Sequence, residues 1–223
     1  LYAYYDVFDG KERYVQTHNY FGPSFSDTEI EKTLKDYKLN YKKIDDIGKY
    51  VAGKISEGSL VGWFQGRMEF GQRALGNRSI LADPRDPKMK EKINLSIKYR
   101  ESFRPFAPSI MAEHAEEYFD MPKGTKVPFM EKVYLIKEEK RPLIPAVTHI
   151  DGTGRLQTVE KDINPTYYNL INEFYKLTNI PIIVNTSLNL NGEPIVCSPK
   201  DAIRTFFSCG LDLLVLGNFL IEK

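Results

Sequence analysis

The chain is poor in several things that would settle a function quickly. It has two cysteines in 223 residues, Cys197 and Cys209. Two thiols build no disulfide framework, and no paired Cys/His spacing points to a zinc site. The three histidines, His18, His114 and His149, are scattered along the chain. No apolar run approaches the roughly 20 residues that cross a bilayer. No signal-peptide pattern follows the first residue, which is Leu1 and not Met, so a piece of a longer protein is expected. A reducing, cytoplasmic compartment is the matching expectation. The net charge is only +1, which excludes a global field directed at nucleic acid or membrane. Neither G-x-x-x-x-G-K-[ST] nor G-x-G-x-x-G occurs, so any nucleotide is held by other means than a P-loop or a dinucleotide fingerprint. Internal repeats and low-complexity stretches are absent too.

What is present is an ordinary globular composition, 42% apolar and 27% charged, long enough to bury a sizeable core. The charge is uneven. From Arg67 to Arg104 there are ten Lys/Arg against five Asp/Glu, so a basic middle sits on a neutral chain. That pattern suits a small anion or an acidic partner. Ser26 followed by Glu29 is a capping box that starts a helix. Ile44, Ile47, Val51 and Ile55 mark one face of a second helix, from about Asp45 to Ser56, with Gly58 after it. Strands are expected at 60–64, near Ser79–Ala82, near Ala107–Met111, at "KVYLI", at "LQTVE", at Ile180–Val184 and in the final "LLVLG" and "FLIE". Helices are expected from Pro87 to about Ile97, around Glu113–Phe119, from Pro165 to about Thr178, and from Pro199 to about Ser208. Residues 120–130, with Pro122, Gly124 and Pro128, predict a mobile surface loop, and Gly152 and Gly154 a turn region. The mixture gives an α/β or α+β domain with a twisted, mixed sheet flanked by helices.

Two segments carry chemistry. In "GRMEFGQRALGNRSILADPR", Arg67, Arg73, Arg78 and Arg85 alternate with Gly66, Gly71 and Gly76. "KYRESFRPF" then adds Lys98, Arg100 and Arg104. Guanidinium forks match phosphate and carboxylate edges, and glycines let backbone N–H groups approach the same anion. A single surface Arg is as often a solvated charge or a partner for acids such as Glu69 and Glu101. Seven cations in two glycine-spaced clusters favour a site for a polyphosphate or phosphorylated metabolite. The second segment, "VNTSLNLNGEPIV", follows the most apolar strand. Asn185, Thr186, Ser187 and Asn189 there are either turn formers or neutral donors aimed at phosphate or ribose. The turn reading suits Asn191 beside Gly192. Cys197 and Cys209 lack a basic partner and read as inert thiols.

"GRMEFGQRALGNRSILADPRDP…KYRESFRPFAPSI" and "NTSLNLNGEPIVCSPKDAI" resemble the carboxy-terminal half of the nodulation-type O-carbamoyltransferases. "LYAYYDVF" and "YFGPSFSDTEIEKTL" resemble the exit from that family's amino-terminal actin-like domain. The resemblance therefore divides the chain into an exit segment, residues 1–35, and a YrdC-like domain, residues 36–223. The YrdC-like fold is shared with synthases of threonylcarbamoyl-adenylate. "WFQGRMEFG" resembles a P-T-E-x-x-[FY]-G loop at Glu69 and Gly71, and "KYRESFRP" resembles K-x-R-P at Lys98 and Arg100. No Pro follows Arg100, a departure that leaves the part played by Arg104 open. "NTSLNLNGEP" resembles S-T-S-A-N-x-S-G at Thr186, Ser187, Asn189 and Gly192, with Leu188 in place of Ala.

The resemblance implies binding of ATP, with Mg²⁺, and carbamoyl phosphate to form carbamoyladenylate. The actin-like domain would pass the carbamoyl group to a hydroxylated acceptor and would hold the metal, so no metal site is expected here. Lys98, Arg100 and Arg73 are the expected catalytic residues. Arg67, Glu69, Arg78, Arg104, Asn185, Thr186, Ser187 and Asn189 are the expected nucleotide and carbamoyl phosphate ligands. Both ligands would share one cleft between the 66–104 segment and the 185–192 loop. Two alternatives remain: a threonylcarbamoyl-adenylate synthase-like enzyme of tRNA modification, and a non-catalytic RNA-binding module. The near-neutral charge speaks against RNA, and no stripe of aromatics interleaves the basic residues.

Overall fold

The computed structural model describes Tyr5, residues 15–101 and residues 104–223. Apart from Tyr5, the "LYAYYDVF" segment lies outside the described residues, as do Ser102 and Phe103 of "KYRESFRP". Helix α1 (Asp27–Asp36) begins at Ser26, whose capping box with Glu29 is formed in both directions, and it buries Ile30 and Leu34. Those two side chains join the central hydrophobic core. After β1 (Lys42–Lys43), Asp46 caps α2 (Ile47–Ser56), which buries Ile47, Val51 and Ile55 as its 3–4 spacing requires.

Strands β2 (Val61–Phe64) and β3 (Arg78–Ala82) follow, then α3 (Met89–Ile93), β4 (Ala107–Met111), α4 (Ala115–Tyr118) and β5 (Phe119–Asp120). The second half runs β6 (Lys132–Ile136), β7 (Thr153–Val159), α5 (Pro165–Thr178), β8 (Ile182–Ser187), α6 (Pro199–Phe207), β9 (Leu213–Leu216) and β10 (Phe219–Glu222). The strands form a mixed sheet in the order β1-β10-β9-β2-β3-β8-β4-β7-β6-β5. Pairs β2–β9 and β4–β7 are parallel, and the remaining recorded pairs are antiparallel. Helices α2 and α5 pack on one another, and the aromatic core runs through Trp63, Phe64, Tyr167, Phe174 and Phe206, all buried.

Four expectations change in detail. Helix α3 starts two residues after Pro87 and gives way at Asn94 to a π-helical turn, Asn94–Lys98, that ends at Tyr99 in the left-handed region. Widened turns of this kind re-aim the side chains that leave them, and Lys98 is the last residue of this one. Residues 121–131 form the expected surface loop, pinned at its far end. Val127 and Met130 are buried, and Val127 exchanges hydrogen bonds with Thr158. The turn before β7 contains two 3₁₀ turns, Glu138–Leu143 and Pro145–Val147, and Gly154 lies inside the strand. The strand after α5 does not stop at Val184. It continues through Asn185, Thr186 and Ser187, which pair with β3 from Leu81 to Ser79. Their polar side chains are therefore strand residues, spaced by the pleat and not by a turn.

Candidate active site: an arginine cleft

Strands β3, β8, β4 and β7 are neighbours in the sheet, and the loop 69–77 lies over them before entering β3. Main-chain groups of the loop are held by buried side chains. One oxygen of Glu69 accepts from the N–H groups of Leu75 and Asn77, each at 2.7 Å, and of Arg78 at 3.4 Å. Asn185 donates to the Ala74 carbonyl at 3.2 Å, Gln157 to that of Leu75 at 2.8 Å, and the Trp63 indole to that of Gly76 at 3.0 Å. Gly76 has φ +107°, and a Cβ there would sit 2.2 Å from the Tyr167 ring, so no other residue fits the corner. Such a loop is set before any ligand arrives, and it carries Gln72 and Arg73.

Arg73 faces a cleft of about 90 Å³ lined also by Arg100, Phe106, Arg155, Asn185, Thr186 and Ser187. Among the described residues, none of the residues lining this cleft is a carboxylate. The cleft opens into a wider mouth that shares Arg73 and Arg155 and adds Asn19, Phe129 and Glu131. Arg100 lies 4.6 Å from the Phe106 ring centroid and donates to Asn94 Oδ1 at 3.2 Å, which fixes its plane. Arg155 is pushed down to about 10, first by burial and then by the like charges of Arg73 and Arg100. Its Nε is buried without a partner. Three guanidiniums around a cavity whose lining holds no carboxylate have the chemistry that suits an anion.

The residues expected to act are thus divided. Arg73, Arg100, Asn185, Thr186 and Ser187 line one cleft. Arg73 and Ser187 share that cleft, the arrangement a single-cleft reading requires.

Lys98 is buried, and its amine donates to Ser187 O at 2.6 Å, Asn189 Oδ1 at 2.7 Å and Asn189 O at 3.0 Å. Burial, then the charge of Arg100, lowers its pKa to about 7. Asn189 spends its own groups on Lys98, Ser187 and the Glu193 carbonyl, so it ties the loop together.

Arg78, expected to be a ligand, is fully buried on β3. It donates to the carbonyls of Gln65, Gly66, Asn77 and Pro23 and stacks 3.5 Å from the Phe64 centroid. Arg67 is turned to the Phe21 and Gly22 carbonyls at 2.7 and 3.1 Å. Glu69 is buried against backbone N–H groups. Arg104 is exposed and pairs with Glu101 at 3.3 Å, outside the cleft lining. Arg155 was not anticipated. It stands alone in "GTGRLQTV", and only its alternation in a strand with Gln157 hints at a shared face.

Among the described residues no group of three or more His, Cys, Asp or Glu gathers to hold a metal ion. A divalent cation in this cleft would be held chiefly by phosphate oxygens. No helix of the described residues is long and apolar enough to cross a membrane.

A model of the carbamoyltransferase C-terminus matches residues 52–223. The chain belongs to that family. It is 50% identical over 208 residues to nodulation protein NolO of Bradyrhizobium diazoefficiens, covering 92% of this chain and 38% of the relative. It is 35% identical over 173 residues to the 3'-hydroxymethylcephem-O-carbamoyltransferase of Amycolatopsis lactamdurans, covering 78% of this chain and 32% of that enzyme. The chain thus spans about two-fifths or less of the length of these relatives. Full-length HypF in its phosphate- and nucleotide-bound form superposes with TM-score 0.57 at 21% identity, over 78% of this chain and 25% of that one. Sua5 of P. abyssi, complexed with L-threonine, gives 0.54 at 18%, over 79% and 48%. These likenesses identify the fold as YrdC-like.

Proposed function

We propose that this chain is the carbamoyladenylate-forming part of an O-carbamoyltransferase. The observation that carries the reading is the carboxylate-free cleft shared by Arg73, Arg100 and Arg155. The family, and relatives named for O-carbamoyl transfer and for phosphate and nucleotide binding, support it.

Carbamoyl phosphate and MgATP are both highly charged anions. Bringing them together needs fixed cations, and most of the catalysis is positioning. In this reading Arg73, Arg100 and Arg155 hold phosphoryl oxygens, and Thr186 and Ser187 orient them as neutral donors. Water cleaves carbamoyl phosphate to carbamate and inorganic phosphate. A carbamate oxygen then attacks the α-phosphorus of ATP, the bond to the bridging oxygen breaks, and pyrophosphate leaves. The guanidiniums stabilise charge growing on phosphoryl oxygens. Residues beyond this chain would pass the carbamoyl group to a hydroxylated acceptor. Dependence on ATP fits a cytoplasmic setting.

The test is pyrophosphate release with MgATP and carbamoyl phosphate. Release that needs both substrates, and that fails with threonine and bicarbonate, is expected. Release only with threonine and bicarbonate would favour a threonylcarbamoyl-adenylate synthase instead. No release together with no binding of either substrate would sink the proposal.

A further inference from the structure

Residues 19–23 lie upstream of the stretch matched by the family, 52–223, yet they are bonded along the arginine loop. The Phe70 N–H donates to Asn19 O at 2.6 Å, Gly22 N–H to Met68 O at 2.9 Å, and Met68 N–H to Pro23 O at 2.9 Å. Arg67 and Arg78 add side-chain bonds to the carbonyls of Phe21, Gly22 and Pro23. The approach is close: a Cβ at Gly22 would come within 2.8 Å of the Met68 side chain. This segment is a strap laid on the loop that carries Arg73.

One side chain of the strap reaches further. The Tyr20 hydroxyl donates to the Leu75 carbonyl at 3.0 Å, sharing it with Gln157 Nε2 at 2.8 Å, and accepts from Asn164 Nδ2 at 3.1 Å. Asn164 Nδ2 also donates to Asn77 Oδ1 at 2.9 Å, so the same amide braces the loop from below. Burial keeps the phenol protonated well beyond its ordinary range, so the donor is always present. Leu75 lies two residues after Arg73, and Asn19 lines the mouth of the cleft beside Arg73 and Arg155. Among the described residues no side chain bonds Arg73, so its aim depends on the backbone beneath it.

We infer that Tyr20 is a positioning residue for Arg73, fixing the Leu75 carbonyl so that the guanidinium stays over the cleft, and that residues 19–23 are part of the anion site. The inference rests on the reading of the cleft as a phosphate site.

The experiment titrates inorganic phosphate into this chain, followed by ³¹P NMR well below the melting temperature. Tyr20→Phe removes one hydroxyl. It is expected to raise the phosphate Kd about three- to tenfold, the worth of one hydrogen bond. In an Arg73→Gln background the same change should move Kd less than about twofold, because Tyr20 acts through Arg73. In an Arg155→Gln background the full effect should persist. A merely structural role would weaken binding equally in both backgrounds. Tyr41→Phe, which loses a hydroxyl bonded to Glu31 outside the cleft, should leave Kd unchanged. If Y20F does not fold, Gly22→Ala tests the strap itself: its Cβ would come within 2.8 Å of Met68 and unseat Tyr20 from Leu75, so it should raise Kd in the unaltered and Arg155→Gln backgrounds and not in Arg73→Gln. Failure of the unaltered chain to bind phosphate would overturn the cleft reading. Phosphate binding by the unaltered chain with no change in Y20F, or with equal losses in the R73Q background, would overturn this inference alone.

Discussion

Arg78 is buried on β3 with its guanidinium on the carbonyls of Pro23, Gln65, Gly66 and Asn77 and its face on Phe64. Arg73, on the same loop, lines an open cleft with Arg100 and Arg155. The two residues come from one glycine-spaced run and have the same side chain. What separates them is the neighbourhood. Arg78 meets carbonyl oxygens that the fold supplies at both terminal nitrogens, though its Nε has no partner; burial lowers its pKa to about 10 against the favourable charge of Glu69. The cleft arginines meet one another. A guanidinium held by protein carbonyls is a strut, while guanidiniums crowded around a cleft whose lining holds no carboxylate are suited to an anion.

The largest expected effect breaks the strut. Arg78→Met takes the side-chain donor from the buried Gln65 carbonyl and the Gly66 carbonyl and the nearby positive charge from the buried Glu69 carboxylate, and the loss should be about 3–5 kcal/mol of unfolding free energy. Urea denaturation measures it. A loss below about 1 kcal/mol would show that water or relaxation replaces the guanidinium, and the contrast with Arg73 would fail.

Lys98 sharpens the comparison from the other side, being a buried cation on oxygens yet one contact from the cleft through Ser187. Its pKa falls to about 7, well below the ordinary lysine value, because burial penalises the charge and Arg100 repels it. The folded protein therefore releases this proton at lower pH than the unfolded chain does. Between about pH 7 and pH 10 the unfolded state binds more protons, so stability should rise with pH across that window. Melting temperatures from pH 6.5 to 9.5 test it, with Lys98→Met expected to flatten the slope. An unchanged slope in K98M would assign the effect to another group.

The third prediction concerns the cleft itself. Arg155→Gln should weaken phosphate binding roughly tenfold to a hundredfold, the worth of a charge-assisted bond. The free protein should lose no stability, since one source of mutual repulsion with Arg73 and Arg100 disappears. Calorimetric titration and a melt on the same sample decide it. Full affinity in R155Q would remove Arg155 from the site.

These outcomes bear on what a sequence can disclose. Local signals were legible because local chemistry makes them. The capping box at Ser26 starts α1, and Pro165 and Pro199 open α5 and α6. The apolar runs at 107–111 and 213–216 are strands, as expected. The glycine-spaced arginines did mark the region of the cleft. Their separate jobs were not legible, because burial of Arg78 depends on Phe64, Gln65 and Pro23 arriving from elsewhere in the chain. Arg155 was silent for the same reason. It reaches the cleft through the parallel pairing of β4 with β7, where Ser109 faces Gln157, and no local pattern records that partner. Asn185–Ser187 looked like a loop because their side chains suit turns. Pairing with β3 and β4 overrides that preference, and the Asn185 Nδ2 donates to Ala74, Ser109 and Gln157 while its Oδ1 stays without a partner.

The smallest expected effect tests whether every arginine of the run can be sorted this way. Arg67 is a strut by its contacts, donating to Phe21 and Gly22 carbonyls, but it is exposed where Arg78 is buried. Water can replace it at both carbonyls. Arg67→Ala should therefore cost about 1 kcal/mol, far less than the loss of Arg78. Phosphate affinity should stay within about twofold, because the main-chain bonds of Asn19 and Gly22 still hold the strap. Paired denaturation and titration of R67A against R78M supply the measurement. If R67A instead lost affinity while keeping its stability, Arg67 would belong with the ligands, and contacts to carbonyls would no longer separate strut from site.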